Sequence, residues 1–392
     1  MSKWKEYNLS EVGKLQRGKS KHRPRYAFHL YGRPFPFIQT GQIKAASKYI
    51  ISFEQTYSNE GLAQSKLWPK GKLCITIAAN IAEIAILSFD ACFPDSVIGF
   101  IPDKNKCDLD FAFYTLKYFQ KELQQMGDGS VRDNINLGTF EQIKFPFPPL
   151  AEQIQIASFF SCLDNKIDLL HRQNKTLEQL AETLFRQLFV EEAEEKGKLS
   201  EYIKVQGGYA FKSKDFKENG FAGIIKITNI SMGFVDIIKS DFVDESIVKN
   251  IDEKFKIKTG DFLIAMTGAE IGKIGIVEKT EKGIWVNQRV GKLESKIPYG
   301  NIIGHLALKS REGQDHIINT CSGSAQENIS TTGIEEMIFA SYNAEKADSF
   351  GQQIQPYFDK IIFNLNQIRT LTKLRNTLLP KLMSGEVRVK NN

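Results

Sequence analysis

Six basic side chains, Lys14, Arg17, Lys19, Lys21, Arg23 and Arg25, fall within the twelve residues KLQRGKSKHRPR, and no acid interrupts them. The chemistry such a run offers is polyanion binding, each cation neutralising a phosphate and releasing its counterion. A solvated basic loop has the same composition, so context must decide between the two. A second stretch, GGYAFKSKDFK (207–217), offers Lys212, Lys214 and Lys217. The net charge of +6 resides in residues 1–150, with 20 Lys and Arg against 14 Asp and Glu; the remaining chain carries 32 of each. Arg132 and Gln326, long polar groups beside Gly-Ser turns, are further candidates, either as polyanion contacts or as part of a domain-to-helix anchor.

Bond-making chemistry finds no residues to carry it. There is no G-x-G-x-x-G after a strand and no G-x-x-x-x-G-K-[ST], hence no phosphate-cradling nucleotide loop. The Asn/Asp-Pro-Pro-aromatic tetrapeptide of adenine methyltransferases is missing, since FPPL (147–150) lacks both its amide or acid and its aromatic. The histidines (His22, His29, His171, His305, His316) show no i, i+4 pair and no cysteine at ligand spacing. An E-x-K at Glu194–Lys196 lies in a charged linker, where that pattern recurs easily. No catalytic, cofactor-binding or metal-binding residue is therefore expected. The five scattered cysteines, odd in number and without a C-x-x-C, suit a reducing, cytoplasmic setting. The N-terminus is polar and charged, unlike a secretory signal. The most apolar run, LCITIAANIAEIAILSF (73–89), is short for a membrane span and reads as two buried strands around a turn.

The elements that must position the cations come in two copies. GSVRDNINLGTFEQIKF (129–145) aligns with GSAQENISTTGIEEMIF (323–339) at an offset of 194. The register continues without a gap into two long helical patterns. In the first, apolar residues step by four and three through Ile156, Phe160, Leu163, Ile167, Leu170, Leu177, Ala181, Leu184 and Leu188, with Asn174 as the one polar interruption. That is the heptad seam of a coiled coil, over roughly 38 residues or about 57 Å. Pro148 and Pro149 precede it as a rigid start, and Ala-Glu-Gln supplies a first turn with its acid at the positive dipole end. Earlier segments echo each other more loosely, FPFIQTGQI (35–43) with GIIKITNI (223–230).

An amphipathic helix cannot leave its seam in water, so the two copies are expected to pair with each other. A compact intervening domain returns the chain, making the pair antiparallel with a pseudo-two-fold axis. Residues 151–196 carry 5 basic and 9 acidic groups and 344–392 carry 8 and 4, so unlike helices are favoured as partners. The offset brings Asn174 close to Asn364, with Leu170–Ile368 as symmetry mate. Asn174 is either a defect in the seam or an amide that sets register. The expected fold is α+β: a first domain over 1–149, a spacer helix over 150–190, a second domain over 191–343, and a second helix with tail over 344–392.

PFPPLAEQ before the first helix, TLLPKLMSGEVRV at the end of the second, and the paired GS-x-x-(D/E)-N-I segments resemble the specificity subunits of Type I restriction–modification enzymes. The resemblance spans essentially the whole chain. One departure is FASYNAEKADSF before the second helix, where no Pro-Pro-Leu-x-Glu-Gln stands. The resemblance implies two target-recognition domains, each reading one half of a split double-stranded DNA site. It implies helices that act as a ruler and dock two methyltransferase (modification) subunits, joined by restriction (translocase-nuclease) subunits, with no chemistry in this chain and no membrane partner. It also favours Lys19, Lys21, Arg23, Arg25, Lys212, Lys214 and Lys217 as DNA contacts. The competing expectation, a coiled-coil scaffold that binds only protein, leaves the basic run unexplained.

Overall fold

The computed structural model describes residues 4–21, 27–128, 137–193, 195–280, 282–321 and 327–389. By compactness the chain divides into Met1–Asn165 with Thr372–Asn392, and Lys166–Leu371. Both long helices cross that division. No helix among the described residues is long and apolar enough to cross a membrane.

In the first unit the apolar run expected to form two strands does so. Leu73–Thr76 and Ile84–Leu87 are buried throughout and pair antiparallel with Leu73 opposite Ile86. Two runs of four consecutive buried positions suit a strand pair covered on both faces. The connecting turn uses left-handed backbone at Ala79 and Ala82, and the Thr76 hydroxyl accepts from the Glu83 amide at 2.9 Å. The five-stranded order is Gly13–Arg17, Val97–Pro102, Leu73–Thr76, Ile84–Leu87, Tyr49–Ile50. The last strand runs parallel to its neighbour, Tyr49 opposite Ile86. A smaller sheet sets Tyr31–Phe37 between antiparallel Gln55–Tyr57 and parallel Ala91–Cys92.

The second unit repeats the core of this plan. Its larger sheet runs Ile203–Gly207, Val290–Ser295, Phe262–Ala265, Ile274–Ile276, Gly233–Val235, with Ile230–Ser231 added at the edge. Phe262 faces Ile276 as Leu73 faces Ile86, and Phe234 lies parallel opposite Ile276 as Tyr49 does opposite Ile86. Its smaller sheet sets Ala222–Ile225 between antiparallel Asp241–Val243 and parallel Ile284–Val286.

The first long helix spans Leu150–Arg186 and ends in a π-helical turn, Gln187–Glu191. Gln153 locks its start: buried, it accepts from the Asp108 amide at 3.0 Å and donates to the Lys106 and Pro148 carbonyls at 2.9 Å each. The Pro-Pro stop thus delivers a side chain into the domain as well as beginning a helix. The second long helix, Ala344–Met383, starts without prolines. Asn343 caps it instead, its side chain accepting from the Lys346 amide at 2.9 Å. The position 194 residues after Gln153 is Ala347, also buried.

Burial departs from the heptad seam near the end of the first helix. Leu177, Leu184 and Leu188 are half-buried, while Ala181, Phe185 and Phe189 are buried. A straight helix drifts about 20° per heptad from a 3.5 repeat, which carries the buried stripe one position on.

Candidate nucleic-acid interface and helix pair

Lys14 and Arg17 lie on the edge strand of the first large sheet, both exposed. Lys19 and Lys21 follow, exposed at the side chain but fixed at the backbone. The Lys19 carbonyl accepts from Ser65 Oγ at 2.6 Å, and the Lys21 amide donates to the Gln64 carbonyl at 3.3 Å. Between them Ser20 Oγ meets the Tyr57 hydroxyl at 2.7 Å. The segment presents its cations from a rigid base. Arg23 and Arg25 lie outside the described residues, as do Arg132, Gln326 and Glu194.

In the second unit Lys212 and Lys214 are exposed at a short 3-10 turn, Ser213–Asp215. Lys217 differs: its ammonium rests on Asp244 at 2.5 Å, so its charge is already partnered. Sequence reading missed a further set around the small sheet. Lys226 pairs with Asp241 and stands 3.8 Å over the Phe216 ring, Lys256 stands 5.2 Å over Trp285, and Lys282 stands 5.2 Å over Phe242. Cation–π contact holds each ammonium near an aromatic face. No spacing rule links these lysines to their rings; strand pairing does. In the first unit Lys66 stands 3.9 Å over Trp68 and donates to Gln16 at 2.7 Å.

The described part of the repeated segment anchors. Glu335 accepts from the Val205 amide at 2.7 Å, and Ser330 caps the short helix Thr331–Glu335.

Within the second unit the structure brings Asn174 and Asn364 together, Asn364 Nδ2 donating to Asn174 Oδ1 at 2.8 Å. Both amides are buried. Farther along the pair, Phe189 meets Phe350 at 5.1 Å between ring centroids, so rising numbers on one helix face falling numbers on the other. The same sense holds within the first unit, where Asp164 pairs with Arg375 at 2.8 Å and Glu152 lies 3.7 Å from Arg388. Charges also tie the second domain to the helices. Lys309 binds Glu178 at 2.7 Å and Glu182 at 2.9 Å, and Arg369 meets Glu278 at 3.3 Å. Burial pushes the Glu278 carboxyl up to about 7, against the opposing pull of Arg369. The described cysteines form no disulfide.

Comparison with known proteins matches this doubled plan. The family described as Type I restriction modification DNA specificity domain matches residues 1–179 and again 191–368. The chain is 26% identical over 314 residues to the Type I restriction enzyme MjaVIII specificity subunit of Methanocaldococcus jannaschii, covering 74% of this chain and 73% of that protein. It is 24% identical over 369 residues to the MjaIX specificity subunit of the same organism, covering 87% and 84%. Its fold is similar to the crystal structure of a Type I restriction–modification S subunit from M. genitalium, with a TM-score of 0.63 at 16% identity, covering 99% and 97% of the two chains. With two matched domains, each a copy of the same sheet plan and each followed by a long helix, the chain belongs to the family of Type I restriction–modification DNA specificity subunits.

Proposed function

We propose that this chain reads a bipartite, asymmetric double-stranded DNA target, one half with each domain, and that the paired helices set the distance between the halves. One observation carries the reading: the two domains share their strand order and register while the groups around their small sheets differ. A common scaffold with unlike surfaces suits two half-sites of unlike sequence. The functional segments are 1–149 and 191–343 for recognition, and 150–190 and 344–392 for spacing. Lys19, Lys21, Arg23, Arg25, Lys212 and Lys214 contact phosphates, and Lys217 joins them by exchanging Asp244 for the backbone. Asn174 and Asn364 set the register of the pair. The chain does no chemistry itself. It works in the cytoplasm, docking two methyltransferase subunits and, through them, the restriction subunits.

The test is methylation-site mapping in assembled complexes that carry insertions after Leu177. Four added residues lengthen the helix by about 6 Å and turn it by about 400°, so the seam returns to within about 40° of its face. At 3.4 Å per base pair, the expected target keeps its half-site bases and gains about one or two spacer base pairs. Two added residues turn the seam by about 200° and should abolish binding. Altered bases, or an unchanged spacer, after the four-residue insertion would refute the ruler.

A further inference from the structure

Phe28 has its side chain in water, at 95% exposure, the most exposed of the large apolar residues among the described residues. Scattered apolar residues on a surface are ordinary. This one differs in how firmly it is held and in what surrounds it. It opens the 3-10 turn Phe28–Leu30, whose Leu30 is buried. Ser58 fastens that turn twice, its hydroxyl donating to the His29 carbonyl at 2.7 Å and its amide to the Leu30 carbonyl at 3.1 Å. Gly32, at a φ of 118°, is the second residue of the strand Tyr31–Phe37 that follows.

The same Ser58 caps the short helix Asn59–Ala63. At the other end of that helix Gln64 and Ser65 hold the backbone of Lys21 and Lys19. Five helical residues span about 7.5 Å. The turn that carries the exposed ring and the backbone that carries Lys19 and Lys21 are therefore fastened to opposite ends of one short helix, and His29 and Arg33, also exposed, follow Phe28 in sequence. Tyr57, buried and stacked on Phe37 at 4.2 Å, meets Ser20 between the two lysines at 2.7 Å.

A rigid apolar ring among cations that attract phosphates has the make-up of a wedge that enters a base step. We infer that Phe28 inserts between, or stacks on, bases of the half-site read by the first domain, while Lys19 and Lys21 hold the adjoining backbone. This deepens the DNA-reading proposal and rests on it. Protein docking is less suited to the patch, because charged groups are depleted from the centres of protein interfaces. In the corresponding loop of the second domain Phe221 is exposed to a lesser extent, at 55%, and Tyr209 packs against Phe211 and Phe255.

The experiment uses the full chain and duplexes bearing the target mapped by methylation, with 2-aminopurine placed at each half-site position in turn. Wild-type binding should raise the fluorescence at one step of the half-site read by the first domain. Phe28→Ala should abolish that rise and weaken binding about 10- to 100-fold. Its salt slope should stay unchanged, because no phosphate contact is lost. Phe28→Trp should retain both the rise and the affinity. Alanine binding within about twofold of wild type with the rise intact would overturn the inference. So would intact DNA binding with lost capture of methyltransferase subunits, which would make Phe28 a protein contact. If wild type binds no specific duplex, the DNA-reading proposal itself fails and takes this inference with it.

Discussion

Tyr114 and His305 are each the sixth residue of the helix that packs their domain on the long helices, Leu109–Tyr118 and Gly300–Lys309, and they meet opposite surroundings. The Tyr114 hydroxyl donates to Asp164 at 2.6 Å, and Asp164 accepts from Arg375 at 2.8 Å. Beside them buried Lys48 reaches Asp110 at 3.0 Å and Ser161 at 2.8 Å. In the second unit the positions 194 residues from Asp164 and Arg375 are Phe358 and Ala181, both buried. His305 stacks on Phe262 at 4.4 Å and meets Phe358 edge-on at 5.7 Å. Burial and the Asp164 charge push the Tyr114 phenol up, whereas burial lowers His305 to about 3 and keeps it neutral. One frame thus uses an ionic joint in the first unit and an aromatic joint in the second. The ionic joint pairs its buried polar groups, whereas the aromatic joint leaves the buried His305 Nδ1 without a hydrogen-bond partner. The aromatic joint stabilises through area removed from water. The ionic joint contributes little net stability but is costly to break from one side.

That asymmetry gives the largest expected effect. Lys48→Met leaves Asp110 beside a buried apolar chain and should destabilise the first unit by about 3 kcal/mol; adding Asp110→Leu should recover most of it. Denaturant titrations of both variants measure this, and a single-variant loss below about 1 kcal/mol would put the Lys48 contact among weak surface pairs. Next comes the polar contact on the helix seam. Asn174→Leu strands the Asn364 amide and should cost about 1–3 kcal/mol. Replacing both with Leu should restore stability yet loosen register, since a buried amide pair selects one alignment. Cysteine cross-linking along the pair reads that loosening, and a single cross-linked register in the double variant would assign the amides no such role.

The smallest effect is the one set by pH. Glu278 holds its proton to about pH 7 when folded, against 4.5 as its ordinary value. A raised carboxyl pKa means the folded state binds the extra proton. Its contribution is thus fully present below about pH 4.5 and lost as pH rises through about 7. Glu278→Gln should stabilise the second unit by about 1–2 kcal/mol at pH 8 and leave it unchanged at pH 4.5. Calorimetry at the two values checks it; a destabilised variant at pH 8 would mean that Arg369 outweighs burial.

Much of the architecture was legible because its signals are local. Heptad spacing marked the long helices, and the run 73–89 marked a buried strand pair. The site was less legible. Lys217 reads like Lys212 and Lys214 in sequence, but Asp244, brought over by strand pairing, neutralises it. Phe185 and Phe189 stand off the seam by one residue, yet they pack with Phe339 and Phe350 in the core. Phe28 looks like core filler until the fold leaves it in water.

The amino-acid sequence by itself determined the duplication, the paired helices and the family, because repeats and periodicity survive without knowledge of what touches what. Only the tertiary structure decided which lysines are partnered, which aromatic ring is exposed, and which joint is ionic. Those outcomes depend on contacts between residues as distant as Lys48 and Ser161 or Asp164 and Arg375. The free energy of a charge or a ring depends on its surroundings, and folding supplies those surroundings.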